Sequence, residues 1–131
     1  MPLEFLDLHD VLDIHRDQIE RYGGDTGIRD LGLLESAIAM PAAGFGGEYL
    51  HRDIFEMAAA YLFHLVMNHA FVDGNKRVGA TATIVFLRIN DMEVKIKEPE
   101  LVEIVLSVVE GKTDKSALAQ FFRDRCQKTI T

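Results

Sequence analysis

At 131 residues, 48% hydrophobic and 27% charged, the chain has the size and make-up of one ordinary globular domain. Its net charge of −7, with no long Lys/Arg run, lacks the basic footprint of a nucleic-acid binder and leans toward protein or small-molecule partners. Cys126 is the single cysteine, which excludes an intramolecular disulfide and argues against a cysteine-built zinc site.

Nearly every segment reads as helix. The first, about Glu4 to Arg21, carries Leu3, Leu6, Val11, Ile14 and Ile19 near helical spacing, and Gly23-Gly24 stops it. A second starts after Asp30, a good N-cap, and runs through Leu33, Leu34, Ala37 and Ile38 to Pro41. The stretch Pro41 to Tyr49 is too rich in glycine for helix and reads as a flap. A third helix, about Asp53 to Asn68, is apolar around most of its circumference and should be buried. A fourth covers about Lys76 to Ile89; its β-branched residues make a strand the competing reading, and its length decides for helix. After the Asn90-Asp91 turn, Met92 to Lys97 alternates as one short extended piece. Pro99 then opens a fifth helix that Gly111 ends, and a last one follows Asp114. The expected architecture is an all-α single domain over residues 1–131, with two buried central helices joined by a loop.

Met1 to Phe5 shows neither the basic nor the apolar region of a signal peptide. The most apolar stretch, Met57 to Phe71, is interrupted by His64, Asn68 and His69 and falls short of the ~20 residues of a membrane span. A cytoplasmic protein with no membrane partner and no direct nucleic-acid binding is the expectation.

The loop between the two central helices reads His69-Ala70-Phe71-Val72-Asp73-Gly74-Asn75-Lys76-Arg77. Taken singly its parts are ordinary: a histidine caps many helix ends, Asp-Gly makes turns, and Lys-Arg is a common solvated pair. Together they outline a phosphate site. The fourth helix starts on Gly74-Asn75-Lys76, where unpaired N–H groups and the helix dipole favour an anion. Gly74 permits close approach and positive φ. Lys76 brings a mobile charge, and Arg77 can grip two oxygens at once. Asp73 is a candidate magnesium ligand, since magnesium often takes one or two protein carboxylates plus phosphate oxygens and water. Phosphoryl transfer is mostly positioning and charge stabilisation, so the missing part is a proton acceptor. His69 is the candidate, because an imidazole titrates near pH ~6.5 in water and such a base contributes about 10²–10⁴-fold in rate. Phe71 is read as a core anchor for the loop. His9, His15, His51 and His64 take the bland reading, being spaced poorly for a shared metal.

These nine residues resemble the signature of the Fic/Doc (Fido) family, His-x-Phe-x-Asp/Glu-Gly/Ala-Asn-Gly/Lys-Arg. Ile19 to Gly24, Gly27 to Asp30 and Leu33 to Ile38 also look like the N-terminal part of death-on-curing (Doc) toxins, extending the similarity over roughly residues 9 to 90. The resemblance implies a helical Fido fold and assigns roles. His69 would act on a target hydroxyl, Asp73 would hold magnesium, and Gly74, Asn75, Lys76 and Arg77 would bind the phosphates of ATP. Thr81 would stand where a Doc-type asparagine helps bind nucleotide. A target-docking flap would fall within Gly44 to Arg52, centred on Gly46, Gly47, Glu48 and Tyr49.

Typical Fic enzymes have glycine at position 76 and transfer AMP; Doc toxins have lysine there. Lys76 therefore implies a kinase that moves the γ-phosphate of ATP to a target-protein threonine, with elongation factor Tu as target and translation halted. A lysine side chain also fills space that glycine leaves for the phosphates. The chain lacks the Ser/Thr-x-x-x-Glu-Gly/Asn inhibitory motif of many Fic proteins, so inhibition would come from a separate antitoxin. The alternatives are AMP transfer, which Gly74 favours, and an inactive Fido fold kept for binding.

Overall fold

The computed structural model describes residues 2–129. Its helices are α1 (Leu8–Tyr22), α2 (Leu31–Ala39), α3 (Ile54–Met67), α4 (Asn75–Ile89), α5 (Glu98–Val109) and α6 (Lys115–Arg125). Short strands form two antiparallel ribbons, β1 (Gly44–Phe45) with β2 (Glu48–Tyr49) and β3 (Met92–Val94) with β4 (Cys126–Lys128). The all-α expectation holds.

Aspartates punctuate the chain. Asp7, Asp30, Asp53 and Asp114 accept the backbone N–H groups of Asp10, Leu33, Glu56 and Ala117 at 2.8–2.9 Å, each satisfying an amide of a helix's first turn. Helix α4 begins differently, on Gly74 at φ 83, and no side chain caps it.

The core centres on α3, where Met57 to Leu62, Leu65 and Val66 are all buried. It packs most extensively on α4 and α6. Gly79 lets α4 come close: a Cβ there would lie 2.6 Å from Val66 Cγ2. Phe86 of α4 is fully buried, with its ring 4.8 Å from that of Tyr61.

The structure departs from the sequence expectation at the chain's two ends. Helix α1 starts at Leu8 rather than Glu4, because Asp7 and Asp10 cap each other's backbone N–H at 2.8 and 3.0 Å. The segment before it forms no regular element. Asn90 clasps Glu4 through both halves of its amide, and Leu6 N–H donates to the Tyr61 hydroxyl at 2.8 Å. The extended piece at Met92 has a partner that periodicity did not reveal, since β4 pairs it over Met92↔Lys128, Glu93↔Gln127 and Val94↔Cys126.

Candidate active site

The motif loop leaves α3 through Asn68, whose amide donates to Leu33 O at 3.0 Å. His69 then turns the chain with φ 49, left-handed for a residue with a Cβ. Such a conformation costs on the order of 1–3 kcal/mol and persists only where the surroundings enforce it. Here the residue 27–30 segment does so. Arg29 Nε donates to His69 O at 2.6 Å, and the amides of Arg29 and Asp30 both donate to Ala70 O at 2.7 and 3.0 Å. Ile28 bridges Phe71, and Val72 N–H reaches Gly27 O at 3.0 Å. The His69 side chain is left exposed at this braced corner.

Phe71 is 2% exposed and anchors the loop in the core as expected. Asn75 closes the turn from the other side: its Oδ1 accepts from Phe71 N at 3.0 Å and its Nδ2 donates to Phe71 O at 2.9 Å. The sequence reading put Asn75 among the phosphate binders. Its side chain braces the loop through these two bonds, while its backbone N–H and the second Nδ2 hydrogen have no partner among the described residues.

Asp73 Oδ2 accepts the N–H of Asp25 at 3.0 Å, while its other oxygen has no hydrogen-bond partner among the described residues. One anchored, outward carboxylate fits a cation shared with phosphate oxygens. Among the described residues no group of three His, Cys, Asp or Glu could hold a metal on its own.

Lys76 and Arg77 lie in the first turn of α4 and are exposed, with no carboxylate in salt-bridge reach among the described residues. The Arg77 guanidinium lies 5.2 Å from the centre of the Tyr22 ring and 3.4 Å from Gly23 O. In a chain of net charge −7, two cations without a carboxylate partner among the described residues stand beside uncapped amides, an arrangement that favours an anion. Both line a groove of about 560 Å³ with Tyr22, Thr81, and the apolar Leu101 and Leu106 of α5. That volume suits a small organic ligand. His69 and Asp73 do not line the groove; they stand on the preceding loop.

The segment expected as a flap forms a short antiparallel hairpin. Gly46 and Gly47 take φ 62 and 83, the two positive values of a type I′ turn. Glu48 and Tyr49 follow in β2, and Phe45 beside the turn is 94% exposed.

Sequence reasoning missed two side chains that shape the site, Arg29 and His15. Arg29 is described above. His15 Nε2 lies 2.9 Å from Asp73 O, and its ring stacks on Phe71 at 3.8 Å. The available signal was position: Val11, His15 and Ile19 form the buried stripe of α1, so an imidazole falls where an aliphatic residue would. Away from the site, burial pushes the Cys126 thiol up to about 11, which makes it a poor nucleophile.

The chain belongs to the Fic/DOC family, whose pattern matches residues 5–87. It is 34% identical over 122 residues, 93% of this chain and 90% of the relative, to a protein named Protein kinase doc from Escherichia phage P1. It is also 41% identical over 90 residues, 69% of this chain and 67% of the relative, to Toxin Doc from Mycolicibacterium smegmatis. The resemblance read from the motif therefore stands, and the helical Fido fold agrees with it.

Proposed function

We propose that this protein is the toxin of a toxin-antitoxin module and acts as a Mg-ATP-dependent protein kinase. It transfers the γ-phosphate to a threonine of a target protein, elongation factor Tu, and so halts translation; an antitoxin in trans restrains it. The observation that carries the reading is the open N-terminus of α4, where no side chain caps the helix after Gly74 and Lys76 and Arg77 stand beside it with no carboxylate partner among the described residues. One relative is named a protein kinase and the other a toxin, which supports those two parts of the reading.

The target hydroxyl attacks the γ-phosphorus, its O–P bond forms as the bond to the β–γ bridging oxygen breaks, and ADP leaves. His69 takes the hydroxyl proton. The amides of Gly74 to Arg77, with Lys76 and Arg77, orient the phosphates, and Thr81 lines the groove beyond them. Asp73 would hold magnesium, whose charge offsets that of the phosphates when bound. The hairpin at Gly46 to Tyr49 offers the target segment an open strand edge.

Gly74 favours one rival, AMP transfer, in which the α-phosphorus would be attacked. Incubation with ATP labelled at the α- or the γ-phosphate, in a bacterial lysate with magnesium, separates the two. Protein labelled from the γ position alone is the expected result. Label from the α position would establish AMP transfer, and no label from either would leave a binding role.

A further inference from the structure

His15 is 3% exposed and touches the motif loop at Phe71 and at Asp73, beside Gly74. Its ring lies parallel to Phe71, 8° between planes with centroids 3.8 Å apart. Its Nε2 is 2.9 Å from the main-chain oxygen of Asp73. A Cβ on Gly74 would come within 3.7–3.8 Å of its Cδ2 and Nε2. A carbonyl can only accept, so Nε2 carries the hydrogen and donates. Burying an imidazole is costly unless its polar atoms are matched, and a phenyl ring would give the same stack at no such cost. The distinctive work of this side chain is therefore the bond to Asp73 O.

That bond has a directional consequence. A trans peptide is planar with C=O and N–H opposed, so pulling Asp73 O toward α1 turns the Gly74 N–H away from it. Gly74 N–H has no partner among the described residues. A peptide followed by glycine flips easily, because glycine accepts either sign of φ. Without the His15 donor, the Asp73–Gly74 plane loses what selects one orientation.

We infer that His15 is a positioning residue for phosphoryl transfer. It fixes the Asp73–Gly74 peptide so that the Gly74 amide and the Asp73 carboxylate face the magnesium-bound phosphates. The inference rests on the proposed kinase reading for its purpose, though not for its geometry.

The test compares wild type with His15→Phe, which keeps the stack and loses the donor, and His15→Gln, whose amide reaches to about the place of Nε2. Hydrogen exchange of the Phe71 and Val72 amides is read in the nucleotide-free full chain. His15→Phe should exchange there about tenfold faster while α3 and α6 stay protected, and His15→Gln should recover most of the difference. In the transfer assay, His15→Phe should need about 10–100-fold more magnesium for half activation, as outer-shell losses typically do, with KM for the target unchanged. Exchange in the loop equal to wild type, or raised evenly through every helix, would overturn the inference. If wild type transfers nothing, the kinase reading fails, and the exchange comparison still decides whether His15 holds the loop.

Discussion

On the proposed function, Lys76 is the residue that separates γ-phosphate transfer from AMP transfer. It sits in the first turn of α4, exposed and without a carboxylate partner among the described residues, so its charge is free for a ligand. Lys76→Gly should lower γ-phosphate transfer and open the space for AMP transfer, read with the two labelled forms of ATP. An unchanged profile would remove position 76 from the account. At this scale the motif was legible because its residue types and order are chemically specific. His15 was not, because its contact is with a carbonyl 58 residues away, which no local spacing encodes. The side-chain task of Asn75 was hidden for the same reason: spacing does not tell which way an amide turns.

Among the elements, the helix starts at Asp30, Asp53 and Asp114 were legible because an N-cap is a local signal. The start of α1 was not, since hydrophobic spacing continues into Leu3 to Leu6 while the clasp on Glu4 comes from Asn90, 86 residues on. The α3–α4 pair that carries the loop depends on Gly79. Gly79→Ala gains about 1 kcal/mol of helix propensity but meets Val66, and overpacking costs about 1–3 kcal/mol. Its Tm should fall; a rise would contradict the close approach. The α3–α6 contact holds a pH-sensitive group. Burial first, then Lys115 with its Nζ 3.2 Å from Nε2, pushes His64 down from 6.5 to about 4. Between those values the unfolded chain binds the extra proton, so stability is full above pH 6.5 and declines as pH falls toward 4. Denaturant titrations of His64→Gln should show a shallower loss across that window. An identical slope in both proteins would assign the loss to other groups. Asp53, Glu56 and Glu100 are held below their usual range and lose their contribution at lower pH.

Taken whole, the molecule presents the exposed Lys76 and Arg77 on one helix end within an acidic protein of net charge −7, a local exception to the overall balance. No helix among the described residues is long and apolar enough to cross a membrane. On the proposed function, ligand binding should register as stabilisation of the folded domain. At a hundredfold excess over its Kd, Mg-ATP should add about 2.7 kcal/mol and raise Tm by roughly 10 °C. Asp73→Ala should lose the magnesium-dependent part of that rise; keeping it in full would remove Asp73 as the metal ligand. The central claim is that His69, on its braced corner, serves transfer of the γ-phosphate. Purified elongation factor Tu, incubated with magnesium, ATP and either wild-type protein or His69→Ala, tests it by intact mass. Wild type should add one phosphate to a threonine and the variant none. An unmodified or adenylylated factor, or equal phosphorylation by His69→Ala, would contradict it.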